Sequence, residues 1–475
     1  MSNPLLDTPS SELPAFDRIR PEHVSPAVDE LLAQAGAALE RSVGPDVPAD
    51  YDAMSAVLDV ATERLGRSWG AVGHLNHVAD TAELRAAYNE NLPKVTEFYT
   101  RLGADERLYA KYKAIAQSPA AQQLSAPRRK ALANAMRDFV LSGAELQGEA
   151  KERFAKIQER LAELSQKYSE HVLDATDKFA LYATEEQLDG VPADVKAAAR
   201  AAAQADGRDG HKITLHFPSY FPVMQYGTNR ELRRQLYTAY ATRASEQGPA
   251  ERDNSALMAE ILQLRQEEAE LLGYGNYAEL SLVPKMADSP QQVMDFLRDL
   301  ARRARPYAEK DLQELREFAA KELALPDLQA WDIAFASEKL KEARYAFSDQ
   351  EVKQYFTEPK VLEGLFRIIE TLFEVAIRPD QAPTWNPDVR FFRVERGGER
   401  RVRLLQGLGV ERADGRDRHE DVDNRADHER ADDRQRQVAF GLLGLLGPGR
   451  DGVEADVGEE DDRGGAHDAA GAVGR

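Results

Sequence analysis

His74 and His77 stand three residues apart in Gly73-His74-Leu75-Asn76-His77, a spacing that puts two imidazoles on one side of a helix, where they can share a metal. No nearby residue supplies a third ligand, so the plainer expectation is a pair of ordinary helix-face histidines. His419-Glu420-Asp421-Val422-Asp423 and His428-Glu429-Arg430-Ala431-Asp432 each read H-E-x-x-D, and an aspartate can ligate zinc. A metal site also needs a rigid helix, supporting hydrogen bonds and a further ligand. That stretch is crowded with Asp and Arg and has no apolar face to dock, so coincidence is expected. Gly273-Tyr274-Gly275-Asn276 lacks the G-x-G-x-x-G and Walker patterns and any preceding strand. It is expected to be a helix end with glycine as the cap, not a phosphate loop. Gln266 to Glu270 reads as a solvated helix face. Trp331 and Trp385 are expected to pack in the core, with peptide stacking as the sharper alternative. No residue is put forward as catalytic or metal-binding, and substrate-binding residues stay unassigned.

Composition bounds the chemistry further. The 475 residues hold 62 Lys+Arg against 82 Asp+Glu, a formal net charge of −20, which opposes a general phosphate-backbone binder and leads to the expectation of no nucleic-acid partner. With no cysteine at all, there is no disulfide framework, no Cys nucleophile and no thiolate metal site. The absence of an apolar run of 18 residues leads to the expectation of no membrane partner, and Met1-Ser2-Asn3-Pro4 lacks the basic and apolar segments of a signal peptide. The default expectation is a cytoplasmic protein of roughly three domains.

The elements that must position any site are mostly helical. Phe154, Ile157, Leu161, Leu164, Tyr168 and Val172 follow each other by three or four residues, one apolar stripe of an amphipathic helix. The stretch from Arg128 to Leu146 is expected to cover it as an antiparallel neighbour. Ser289 reads as an N-cap with Pro290 at the first helical position and Gln292 three residues after the cap. Val293, Phe296, Leu297 and Leu300 should then be the buried face, and Pro306 should kink or end that helix. Ile213, Leu215 and Phe217 alternate with Thr214 and His216 as a strand would, up to Pro218. Val389 to Val394 is also β-rich, with Arg396-Gly397-Gly398-Glu399 available to turn the chain. A strand so late implies a following partner, and nothing after residue 400 looks like one.

Residues 401–475 differ in kind. They contain no Lys, Ser, Thr, Ile, Tyr or Trp, one aromatic (Phe440), 12 Arg, 12 Asp and 13 Gly, and the last lysine of the chain is Lys360. Such composition predicts a low-complexity, disordered tail over 400–475. Two origins fit it: a natural disordered tail, or a reading-frame change near codon 400 in a GC-rich gene. Translating the nucleotide sequence beyond that codon in the other frames separates them.

Longer motifs carry a resemblance. Asn3-Pro4-Leu5-Leu6, Leu13-Pro14-Ala15-Phe16 and Ile19-Arg20-Pro21-Glu22-His23-Val24 open the chain. Phe217-Pro218-Ser219-Tyr220 and Arg233 through Arg243-Ala244-Ser245 follow, then Leu271-Leu272-Gly273-Tyr274-Gly275-Asn276-Tyr277-Ala278-Glu279 with Lys285-Met286-Ala287. Trp331-Asp332, Phe347-Ser348-Asp349-Gln350-Glu351 and Tyr355-Phe356 complete the set. Over residues 3–399 the chain resembles the oligopeptidase A and thimet oligopeptidase family of zinc metallopeptidases. The resemblance implies a mostly α clamshell around a deep channel that admits short peptides. It also implies one zinc, held by an H-E-x-x-H helix and a Glu from the next helix. Two His four apart face one side of a helix, and the Glu between them can act as general base on water whose pKa the zinc lowers. None of the nine histidines (His23, His74, His77, His171, His211, His216, His419, His428, His467) has a partner at that spacing with a Glu after the first. The expected architecture is therefore a mostly α clamshell, incomplete at its C-terminal side, with a minor β component. Residues 1–150 form an N-terminal helical domain, 151–222 a long helix and strand-bearing connection, 223–399 the first part of the catalytic domain, and 400–475 the tail. The implied activity is zinc-dependent hydrolysis of short peptides by a monomer, with the zinc ligands missing and this chain inactive as given. The alternative is a non-catalytic peptide-binding or scaffold fragment.

Overall fold

The computed structural model describes residues 3–7, 12–397, 399–405 and 410–412. Helices dominate them. The first group is α1 (Pro4–Asp7), α2 (Val24–Val43), α3 (Tyr51–Met54), α4 (Val60–Val78), α5 (Ala82–Gly103), α6 (Glu106–Gln117) and α7 (Ala126–Leu141). A π-helical turn, Ser55–Asp59, joins α3 to α4. Buried residues of α2 recur at Val24, Ala27, Val28, Leu31 and Ala35, the spacing that lines one helix face. That face meets Val72 and Leu75 of α4 and Leu84, Tyr88 and Val95 of α5, and further along Leu65 and Phe98. Met54, Leu108, Ile115 and Leu132 close a second core between α3, α6 and α7.

The long helix α8 (Gly148–Asp177) carries the stripe read from the sequence, with Phe154, Ile157 and Leu164 buried. After it come β1 (Leu181–Ala183), α9 (Ala193–Ala205), β2 (His211–Ile213), α10 (Phe217–Tyr226), α11 (Arg230–Ala241) and α12 (Ser255–Leu271). The cover of α8 differs from expectation. Ile157 and Leu164 pack on Leu264, Leu257 and Ile261 of α12, while Arg85 of α5 pairs with Asp174 at 2.8 Å. The expected neighbour is committed elsewhere, since Leu132 and Phe139 of α7 pack with α6 residues. The strand expected through Phe217 is also shorter. β2 stops at Ile213, paired antiparallel to β1 with Leu181 opposite Ile213, and Phe217 already begins α10, with Pro218 in its first turn. Proline suits that position because it has no N–H to leave unsatisfied.

The last group is α13 (Tyr277–Leu282), α14 (Pro290–Glu322), α15 (Ile333–Tyr345), α16 (Asp349–Lys353), α17 (Glu358–Phe373), β3 (Ala376–Asp380), β4 (Phe391–Arg396), β5 (Glu399–Leu405) and β6 (Val410–Arg412). Ser289 caps α14, its Oγ accepting from the Gln292 N–H at 3.1 Å, and the Gln292 side chain reaches back to accept from the Asp288 N–H at 2.7 Å. Pro306 does not end this helix, which runs on to Glu322. The turns around it are solvent-exposed, where water can replace the lost backbone bond. The expected buried face is not buried: Phe296 is 63% and Leu300 47% exposed. Only Leu315 and Ala319, at the far end, are buried, against Ala336 and Leu340 of α15 among others. Periodicity shows which side of a helix needs a partner, not that the described residues provide one.

The late strand does have partners. β3-β4-β5-β6 form one antiparallel sheet, with Phe391 opposite Leu405 and Val394 opposite Val402, turned at Gly397 with φ +60°. The turn was legible from its two glycines. The returning strand was not, because Arg400, Arg401 and Arg403 mask its alternation. Ordered strand thus runs past residue 400, and the rest of the expected tail (406–409 and 413–475) lies outside the described residues. No helix among the described residues is long and apolar enough to cross a membrane.

Candidate functional site

The six described histidines are dispersed. His74 of α4 is enclosed by aromatic rings, edge-on to Trp385 at 4.1 Å and to Phe16 at 5.1 Å between centroids. Burial, with a smaller push from His77, lowers its pKa to about 4. His77 lies one turn on, its Nδ1 2.6 Å from the Gly73 carbonyl oxygen. The His74 ring is therefore a packing element, and the two imidazoles share no further ligand. His23 accepts from the Arg20 N–H at 3.1 Å, and His171 Nδ1 lies 2.8 Å from Asn254 Oδ1. His211, in β2, sits 3.2 Å from Glu185, a carboxylate already paired with Lys196 and Arg200. His216 is 3.1 Å from Asp177. Among the described residues no three His, Asp or Glu side chains converge on a point that could hold a metal ion. With no such convergence among the described residues, this donor set does not fit zinc. His419, His428 and His467 lie outside the described residues.

The structure does gather charge where the sequence showed only two separate motifs, at Arg233 and at Trp331-Asp332. Asp332 is fully buried between α11 and α15. Its carboxylate accepts from Arg230 at 2.7 Å, from Arg233 at 2.8 Å and from the Gln329 N–H at 3.1 Å. Arg233 is itself only 1% exposed. Its guanidinium also donates to the Gly227 carbonyl at 2.6 Å and lies 4.2 Å from the centre of the Phe335 ring. Burial alone would raise the Asp332 carboxyl; the hydrogen bonds from Arg230 and Arg233 outweigh it and hold the group below its usual range. Next to it on α15, buried Glu338 accepts from Gln225 at 2.9 Å and pairs with Lys341 at 2.7 Å. The cluster fastens α10 and α11 to α15, its two carboxylates buried and paired and Arg230 still partly exposed.

The other sequence candidates resolve simply. Gly273 adopts φ +83° after α12. The Tyr274 N–H donates to the Ala269 carbonyl at 2.8 Å and that of Gly273 to Glu270 at 3.0 Å, the paired bonds of a glycine helix stop. Asn276 then caps α13, accepting from the Glu279 N–H at 3.0 Å, while the Glu279 carboxylate accepts from the Gly275 N–H at 3.0 Å. Trp385 packs on Phe16 and His74, and Trp331 packs beside Tyr237.

Comparison with known proteins gives two family matches. The Neurolysin/Thimet oligopeptidase N-terminal domain profile matches residues 28–151, and that of Peptidase family M3 matches residues 223–404. Oligopeptidase A of Salmonella typhimurium and that of Escherichia coli are each 45% identical over 396 residues, covering 82% of this chain and 58% of theirs. A probable cytosolic oligopeptidase A of Arabidopsis thaliana is 39% identical over 412 residues, 83% of this chain and 57% of its own. The chain thus spans less than two thirds of the length of these relatives.

Proposed function

We propose a function from the premise that this chain belongs, through both matched regions, to the oligopeptidase A and thimet oligopeptidase family: it is the N-terminal body of a peptide hydrolase acting on short peptides. The observation carrying this reading is the 45% identity sustained over 396 residues. In the family reading a zinc ion supplies the activated water. The sequence of this chain has no His-Glu-x-x-His, and no three described His, Asp or Glu side chains converge where a metal ion could be held in its place. We infer that the chain by itself does not hydrolyse peptides and binds no stoichiometric zinc. We further propose that it acts in the cytoplasm as a monomer, with short peptides as partners and neither nucleic acid nor membrane. The −20 net charge supports the exclusion of nucleic acid. The domain division at 150, 222 and 399 stands as part of the same proposal.

Elemental mass spectrometry of the purified protein, beside a quenched fluorescent peptide assay, tests the reading. The expected result is well under one zinc per chain and no turnover above buffer. One zinc per chain with chelator-sensitive cleavage overturns it. Calorimetry with the same peptides covers the peptide-binding alternative, which predicts heat of binding without cleavage.

A further inference from the structure

We propose that Trp385 is the plug of a proton-sensitive latch: it seats the loop between β3 and β4 on the first group of helices, and protonation of His74 unseats it. The latch needs neither zinc nor peptide, so it stands apart from the family reading above. Residues 381–389 make their hydrogen bonds locally. The Gln381 N–H donates to Asp380 at 3.0 Å, and the N–H groups of Asp388 and Val389 donate to Asn386 at 2.9 and 3.2 Å. The flanking sheet is tied to its own neighbour α17. The Ile377 N–H donates to Glu370 at 2.8 Å, Arg396 to the Phe373 carbonyl at 2.7 Å, and Arg390 pairs with Glu358. Trp385 instead packs on the core that α2, α4 and α5 share. Its ring closes a triangle, 4.1 Å from His74 and 5.3 Å from Phe16, with those two 5.1 Å apart and every pair edge to face. Pro383 and Pro387 restrict the backbone on either side of it. Among the described residues, no hydrogen bond of 381–389 reaches the helices, so the loop stays seated through the indole.

The seat holds a group that can change its charge. His74 Nε2 is buried without a hydrogen-bond partner among the described residues. His211 and His216 stand 3.2 and 3.1 Å from Glu185 and Asp177, carboxylates able to receive an imidazolium. No described carboxylate stands so near His74. On its own helix, His77 bears on it, and a charge there opposes a second one. Beside the other two rings, Asp17, Arg18, Asp388 and Arg390 are exposed to solvent. From α5 the packed side chains are Leu84, Tyr88 and Val95, while Arg85 is held by Asp80 and Asp174. From α2 they are Val24, Ala27 and Val28. An imidazolium in this seat is a buried charge without a partner, so the seated ring stays neutral down to about pH 4. With Trp385 out, water reaches the ring and its pKa returns towards ~6.5. The proton thus binds the unseated form better and favours it, leaving the loop seated at neutral pH and released on acidification. With these two values the unseating constant rises roughly 25-fold from pH 7.5 to pH 5.

The test labels the full chain with 5-fluorotryptophan and follows Trp69, Trp331 and Trp385 by fluorine NMR between pH 7.5 and 5. Trp385→Phe assigns the signal of interest, and Trp331, in a different core, reports on the global fold. The expected result is a second, solvent-exposed Trp385 signal that grows with acid. Its ratio to the seated signal rises roughly 25-fold over that range, while Trp331 and the far-UV circular dichroism stay constant. His74→Phe keeps the seat apolar but takes no proton, and abolishes the growth; His74→Leu replaces it should circular dichroism at pH 7.5 show that His74→Phe does not fold. His77→Asn retains most of the rise. Four results overturn the proposal. Trp385 gives a single seated signal down to pH 5; the second signal grows equally in the His74 variant; Trp331 changes together with Trp385, which is unfolding of the whole; or Trp385 becomes more protected in acid, which is an imidazolium held over the indole face.

Discussion

Asp332 receives two guanidinium groups in a site closed to water, one from buried Arg233 and one from partly exposed Arg230. Asp332→Ala leaves Arg233 charged and unpaired, and breaking a buried pair from one side costs about 3–5 kcal/mol. Arg230→Ala removes the more exposed partner and should cost about 1 kcal/mol or less. Urea denaturation of both variants decides the point, and equal losses would sink the assignment of the buried pair as the main fastening. The carboxyl titrates below its ordinary range when folded, so its contribution is present above the unfolded value near 3.9 and is lost as pH falls through the folded value. His74 has the opposite chemistry and the same sense of pH dependence. Its folded pKa is lowered to about 4, below the ordinary ~6.5, so the neutral ring is what folding favours. Stability is then complete above pH ~6.5 and declines from there towards pH 4. His74→Phe should flatten the melting temperature between pH 6.5 and 5, where most carboxyls do not yet titrate; an unchanged slope refutes the role. Both residues were noticed in the sequence, but the setting of neither was. The Arg233–Asp332 pair spans 99 positions, and no local pattern records a partner so distant. His74 was legible as a helix-face histidine, but its aromatic enclosure depends on Trp385, 311 positions away.

Helix ends were the most legible elements, because a cap is a contact between residues three or four apart. Ser289 and Gly273 serve as their residue types indicate, and Ser289→Ala should cost about 1 kcal/mol in urea unfolding. Glu374 breaks the rule in an instructive way. It ends α17 in the left-handed conformation, φ +52°, which an L side chain adopts at a cost that glycine avoids. Glu374→Gly should therefore raise stability by about 0.5–1 kcal/mol. A lower urea midpoint for the variant would show that its side chain contributes more than the backbone gains. What covers a helix was much harder to read. α8 and α14 show equally plain apolar stripes, yet α12 covers the first while Phe296, Leu297 and Leu300 of the second stay exposed. The difference lies in long-range packing, which period alone does not encode.

At the scale of the whole chain, burial is unevenly shared, and local stability should follow it. α2 buries eight of its 20 residues and meets α4 and α5 along its length. α14 buries two of 33, and α17 only Leu362 of 16. Isolated helices are marginal in water, so helices with so few tertiary contacts open at a small fraction of the global free energy. Hydrogen–deuterium exchange of the full chain should place the slowest amides in α2, α4 and α5. Those of residues 290–311 and of α17 should exchange on the order of 100-fold faster, a difference of about 3 kcal/mol in opening free energy. The two ends of α14 provide an internal comparison. Residues near Leu315 and Ala319, held by α15, should exchange more slowly than those near Leu300 on the same helix. Uniform protection along α14 would mean that backbone hydrogen bonding alone sustains it and that its apolar stripe needs no cover.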